Sequence, residues 1–227
     1  MNILIVAATP FEVAPLIQWL EKGHTQTGPL RYRCHQADVS VLITGVGMTL
    51  TAYALGKVLP GGKFDIALNA GIAGAFNRTL AIGEVVQVVS ERFGDLGAEE
   101  ADGHFMNVHD MGLIEPGQYP FQGGRLLNET AGAFDFLPKA HGISVNRVHG
   151  SAKSIAQATA AFDADVESME GAAFFYACLM EQVPFLEIRS ISNYVEPRNR
   201  DNWNIPLAID QLNAVVVEVV EALCQAA

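Results

Sequence analysis

The feature that most constrains this chain is a rhythm. Short runs of strand-forming apolar residues alternate with longer segments whose apolar positions recur at helical spacing. The run Asn2 to Ala8, NILIVAA, is apolar on both faces, as in a strand covered from both sides. The next segment, TPFEVAPLIQWLEK, puts Val13, Leu16, Ile17 and Leu20 on one helical face, with Thr9 as a cap and Pro10 in the first turn. VSVLITG, FDIALNAG and GEVVQVVS read as further strands, and VGMTLTAYALGKVL as a helix. ISVNRVH (strand), SIAQATAAF (helix), MEGAAFFYACLMEQ (helix) and VPFLEIRSIS (strand) continue the pattern. The final PLAIDQLNAVVVEVVEALCQ is rich in valine, which favours strands. Ile209, Leu212, Val216, Val219 and Leu223 nevertheless keep helical spacing, and a C-terminal helix is expected.

Such alternation implies the α/β class: a three-layer α/β/α domain around a twisted, mostly parallel mixed sheet. The 227 residues, half of them hydrophobic, suffice for one sizeable core, and residues 1–227 read as a single domain. Ligands in such folds gather beyond the carboxyl ends of the strands. One stretch breaks the rhythm. Gly94 to Phe134 is rich in Gly, Pro, Asp and His with weak periodicity, and reads either as a long functional loop or as partly disordered.

Composition narrows the chemistry. A formal net charge of -11, with few clustered cations, is a poor match for nucleic acid. No apolar run is long enough to span a bilayer, and no basic leader precedes an apolar stretch and cleavage site. A cytoplasmic protein without a membrane partner is expected. Cys34, Cys178 and Cys224 are scattered and show no CxxC or Cys/His ligand spacing, so no metal is expected, and Cys178 and Cys224 read as core thiols. The six histidines form no HExxH, and GxSxG and Walker A patterns are absent from the sequence. Gly45 and Gly47 in ITGVGMTLTA lack the third glycine of a dinucleotide fingerprint, where Leu50 stands; a tight turn explains them. No cofactor is expected.

Polar residues at strand ends remain. Thr9 and Glu12 satisfy the S/T-x-x-E capping box, and the same Glu12 carboxylate at a strand's carboxyl end could activate a water. Gly71 and Gly74 in NAGIAGAF mark either a turn or a place where a ligand ring approaches the backbone. Glu167 and Glu170 in VESMEGAAFFYA suit a helix start, and one such carboxylate could also grip the vicinal diol of a ribose. Asn193 lies just past a buried apolar run, in RSISNYVEPRN.

Taken together these segments resemble the nucleoside phosphorylase and nucleosidase superfamily. NAGIAGAFNRTLAIGEVV resembles its TGSAGGL…LKVGDIVV segment, and VESMEGAAFFYACLMEQVPFLEIRSISN its VEMEGAA…VPFLVVRSISD. The resemblance spans almost the whole chain. It implies an α/β/α domain that forms a homodimer or larger homo-oligomer, acts on a small purine nucleoside and needs no metal or cofactor. Carried over residue by residue, it makes Glu12 the water-activating base and Asn193 the contact to the purine edge. Glu170 would hold the ribose, Met169 would pack on the sugar, Ile72 would stand where the family usually has serine, and Pro120 would reach a neighbouring subunit's pocket. Lys153 falls where an aromatic often stacks on the base. Arg189 would brace the loop.

Two further expectations follow from that resemblance. Phosphorylases of the superfamily bind phosphate through an arginine near the first turn, whereas AATPFEVAP carries Glu12 and no arginine precedes Arg31; a carboxylate repels phosphate, so hydrolysis is expected. Adenine-releasing members have aspartate where Asn193 stands. An amide can donate to a purine O6 while accepting from a protonated N7, so a 6-oxopurine such as hypoxanthine is the expected leaving group. RSISNYVEPRNRDNWNIPLAI resembles the branch that cleaves futalosine in menaquinone biosynthesis, a nucleoside with an aryl ketone and carboxylate at its 5′ end. Arg125, Arg198 and Arg200 are candidates to meet that carboxylate. Methylthioadenosine/S-adenosylhomocysteine cleavage, 6-oxopurine phosphorolysis and non-catalytic nucleoside binding are the alternatives.

Overall fold

The computed structural model describes residues 1–129 and 136–227. The end of the Gly94–Phe134 stretch therefore lies outside the described residues. In chain order the elements are β1 (Asn2–Ala7), α1 (Ala14–Gly23), β2 (Thr25–Gly28), β3 (Arg31–Cys34), β4 (Ala37–Ile43), α2 (Met48–Val58), β5 (Ile66–Ala75) and β6 (Val85–Phe93). Next come β7 (Gly97–Glu99), β8 (Phe105–Asn107), β9 (Phe121–Gln122), β10 (Arg125–Leu127), β11 (Lys139–Ser144), α3 (Ala152–Ala161) and β12 (Val166–Ser168). α4 (Gly171–Met180), β13 (Phe185–Tyr194) and α5 (Ile205–Gln225) complete the chain.

The mixed sheet has a parallel heart. β1 lies between β4 and β5, parallel to both, and β13 runs parallel to β5 on β5's other side. β13 also pairs antiparallel with β6, β6 pairs with β11, β11 with β12, and β12 returns antiparallel to β5. The sheet thus curls into a closed ring at this end. Helices cover both sides. α1 and α5 pack on one face over Leu16, Leu20, Leu212, Val216 and Val219; α4 packs with Leu55 of α2 on the other, over Phe174, Phe175 and Cys178. Two apolar cores on opposite faces make three layers, the expected α/β architecture. Among the described residues, no helix is long and apolar enough to cross a membrane.

Local chemistry explains where expectation and structure part. α1 begins at Ala14, not at Pro10, with Pro15 in its first turn. A helix begun at Pro10 would carry Pro15 in its interior, costing a backbone hydrogen bond and clashing with the preceding turn. β11 starts at Lys139, before the expected Ile143, because its amino half, KAHG, is too polar to announce a strand. The β2–β3 hairpin and β12 carry no clear apolar signal, and two-stranded β7–β8 lies inside the expected loop. α5 is helical despite its valines because burying Ile209, Leu212, Val216 and Val219 outweighs their weak helix propensity.

Candidate active site

At the carboxyl ends of β1, β5 and β13 lies a cavity of about 370 Å³. Glu12, Ile72, Met169, Glu170 and Asn193 all line it. Residues separated by up to 181 positions in sequence meet because parallel strands end on one side. Pro120, joined to Tyr119 by a cis peptide at the start of β9, is not among the lining residues of its own chain's cavity. Lys153 is exposed and beside Gly103, away from this lining. Of the three candidate cations, Arg198 lines the cavity, its guanidinium 5.0 Å from the centre of the Trp203 ring; Arg125 and Arg200 do not.

Glu12 is half-buried in the turn between β1 and α1. Its Oε2 accepts from Thr9 N at 3.0 Å and from Thr9 Oγ1 at 3.1 Å, while Oε1 lies 3.4 Å from Ile72 N. The reach back to Thr9 is half of the expected capping box, but the turn it closes precedes the helix. Asn213 of α5 secures the backbone there: its Nδ2 donates to Glu12 O and Ile209 O, both at 2.8 Å, and its Oδ1 accepts from Leu16 N at 3.0 Å. α1 has no side-chain cap of its own, so the distant asparagine satisfies a first-turn N–H that would otherwise be orphaned. Sequence reasoning missed Asn213; a lone polar residue among the apolar positions of α5 was the signal.

Asn193 owes its aim to a β-bulge. Ile191 pairs with Ala73 and Asn193 with Gly74, leaving Ser192 unpaired. The extra residue breaks the alternation of the strand, and Ser192 and Asn193 both face the cavity. Asn193 Nδ2 donates to Tyr194 O at 2.9 Å, and Asn193 Oδ1 accepts from Ser192 Oγ at 2.8 Å. The Tyr194 carbonyl can only accept, so these contacts fix the amide's orientation. One N–H and one oxygen lone pair are left for a ligand. Gly74 opposite keeps the space open, since a Cβ there would sit 3.1 Å from Asn193 Nδ2.

Glu170 opens α4. Its Oε1 accepts from Gly47 N at 2.9 Å, where Gly47 holds φ 98, a backbone angle that disfavours other residues. Burial raises the Glu170 carboxyl above its usual range, with Arg189 and the Gly47 N–H pulling the other way. Glu167 is tied instead to His149, whose Nδ1 and backbone N both contact its carboxylate. Beneath the cavity, Arg189 is fully buried, its Nε 3.4 Å from Glu187. Burial works against its charge, but Glu187, Glu170, Glu12 and Glu91 more than offset this and hold it firmly cationic. Arg189 does not line the cavity; it neutralises the acids that do. Gly71 makes this possible, because a Cβ there would lie 2.9 Å from Arg189 Nη1 and 3.1 Å from Glu12 Oε1.

Residues 2–223 match the model of the phosphorylase superfamily. The chain belongs to that superfamily. A futalosine hydrolase of Streptomyces coelicolor is 33% identical over 189 residues, covering 81% of this chain and 79% of the relative. A 5′-methylthioadenosine/S-adenosylhomocysteine nucleosidase of Maridesulfovibrio salexigens is 30% identical over 209 residues, covering 86% and 87%. The structure of futalosine hydrolase of Helicobacter pylori superposes with a TM-score of 0.80 at 17% identity, covering 98% of each chain, a likeness of fold. Within its superfamily the chain is therefore a nucleosidase, an enzyme that hydrolyses N-glycosyl bonds, in the family shared by these two activities.

Proposed function

We propose that this nucleosidase hydrolyses futalosine and releases hypoxanthine. The observation that carries the reading is the amide of Asn193, placed on the cavity wall with its donor and acceptor ends fixed. A 6-oxopurine presents an acceptor at O6 and, once protonated, a donor at N7. The free N–H of Asn193 complements the first and its free lone pair the second. An aspartate at 193 would point a carboxylate oxygen at the Tyr194 carbonyl, so the local network itself favours an amide.

In this reading the glycosidic bond breaks first. Its electron pair stays with the purine at N9, N7 takes a proton from solvent water, and the oxygen of Asn193 accepts from the resulting N7–H. Glu170 accepts from the ribose hydroxyls and eases positive charge at the anomeric carbon; Met169 packs on the sugar. Glu12 takes a proton from water, whose oxygen then bonds to the anomeric carbon. Arg198 stands with the apolar surfaces of Trp203, Phe11 and Ile205, a setting suited to the aryl carboxylate at the 5′ end. Replacement Arg198→Met is expected to raise KM for futalosine about tenfold or more while leaving inosine turnover little changed; equal losses on both substrates would remove this role.

The deciding assay is chromatography of free bases after incubation with futalosine, inosine or methylthioadenosine, with and without phosphate. Hypoxanthine from futalosine, independent of phosphate, is the expected result. Adenine released fastest from methylthioadenosine would assign the chain to the other activity of its relatives, and phosphate dependence would make it a phosphorylase.

A further inference from the structure

A second cluster lies at the opposite end of the sheet. His24 closes α1, Cys34 ends β3 just before β4 begins, and Glu221 sits near the end of α5, the helix whose start borders the cavity. One ligand atom from each of these three side chains lies within 4.8 Å of the others. Cys34 Sγ is 3.6 Å from His24 Nε2. We propose that His24, Cys34 and Glu221 form a site for one zinc-class divalent cation, remote from the nucleoside cavity.

The geometry suits such an ion. Metal–ligand lengths of about 2.0–2.3 Å put the corners of a tetrahedron roughly 3.3–3.8 Å apart. The sulfur–nitrogen pair already has that spacing, and Glu221, whose side chain is 34% exposed, can swing in to close the rest. The surroundings are built to hold the ligands. Trp19 meets the His24 ring edge-on, with centroids 4.5 Å apart. His35 Nε2 lies 3.3 Å from Glu221 Oε1, as a supporting group behind a ligating carboxylate would. His35 adopts φ 53, a left-handed angle uncommon outside glycine, and its ring centroid lies 6.1 Å from that of His24. Cys224, three residues along α5 from Glu221, is hydrogen-bonded to Cys34.

One thiolate, one imidazole and one carboxylate form a mixed, borderline-soft donor set. This favours zinc over magnesium or calcium, with water in the fourth position. Binding replaces the Cys34 S–H bond with a sulfur–metal bond and releases that proton to solvent. The spacing of these residues in sequence, ten and then 187 positions, carried no ligand signature; the fold alone gathers them.

The test is titration of the chelator-treated full chain with cobalt(II), followed by displacement with zinc. A near-ultraviolet thiolate-to-cobalt band saturating at one metal per chain, bleached by zinc, is expected, together with a rise in Tm on zinc addition. Cys34→Ser should lose the band, and His24→Gln and Glu221→Gln should each weaken binding at least tenfold. Cys178→Ala, which alters a thiol in the other core, should keep it. Should Cys34→Ser fail to fold, the two glutamine variants decide. No band with wild-type protein, a band that survives in Cys34→Ser, or unchanged affinity in both glutamine variants would overturn the site.

Discussion

On the proposed reading, Glu12 and Asn193 carry the chemistry of the site with little more than one carboxylate and one amide. One is a carboxylate held by its own turn through Thr9; the other is an amide held by the residues on either side of it. Both are half-buried, which leaves each open to a ligand on one side. Glu12→Gln keeps size and hydrogen-bonding capacity but cannot take a proton. Turnover is expected to fall about 100-fold or more with the fold unchanged, as read by steady-state kinetics beside circular dichroism. Unaltered kinetics would remove Glu12 from the chemistry. Glu12, Glu170 and Asn193 could be picked out in sequence because each lies near the end of an apolar run or the start of a helix, whereas Ile72, Met169 and Pro120 came only from the family resemblance, and of these Pro120 is not among the residues lining the cavity. The alternative for Glu12, a plain helix cap, could be weighed only once α1 was seen to start beyond it.

At the level of elements, the site depends on departures from regularity. The bulge at Ser192 turns Asn193 into the cavity, the late start of α1 leaves Glu12 in a turn, and Asn213 on α5 joins that turn to the C-terminal helix. None of these is written in hydrophobic periodicity. A bulge adds one residue to a strand without altering its composition, and Asn213 acts across 201 positions of sequence. Asn213→Ala strands the buried Leu16 N–H and the Glu12 carbonyl. A loss of roughly 1–3 kcal/mol is expected from urea denaturation. Turnover should also fall through a lower kcat, since the carbonyl anchoring Glu12 is freed. A stability loss without a kinetic one would confine Asn213 to α1. The short β2–β3 hairpin and β12 escaped notice for a different reason: strands of three or four residues with polar faces owe their existence to neighbouring strands, not to their own propensity.

Across the whole molecule, acids crowd the middle of the fold. Glu91 and Glu187 are fully buried beneath α4, and Gly171 leaves them room, since a Cβ there would come within 2.7 Å of Glu187 Oε1. Burial, then the charge of Glu187, pushes the Glu91 carboxyl well above the usual range, with Arg189 and the Ser144 hydroxyl only partly offsetting this. A carboxyl whose folded pKa is raised binds its proton more tightly in the native state. Its stabilising contribution is complete below the ordinary carboxylate pKa and is lost as pH rises toward the folded value. Glu91→Gln mimics the protonated form. Tm of the wild-type protein is therefore expected to fall relative to the variant as pH rises through and above the ordinary carboxylate range, with parallel profiles contradicting the assignment. The α/β layering itself was readable from the alternation of apolar runs, but this buried charge network was not, because nothing in sequence tells a core glutamate from a surface one. The central claim is that a neutral amide selects an oxo-bearing purine. It is tested most directly by comparing kcat/KM for futalosine with that for its 6-amino counterpart, which differs at one position of the base. Wild-type protein should favour the oxo compound by about 100-fold or more, and Asn193→Asp should erase most of that preference. Equal or faster cleavage of the 6-amino compound by the wild-type enzyme would contradict it.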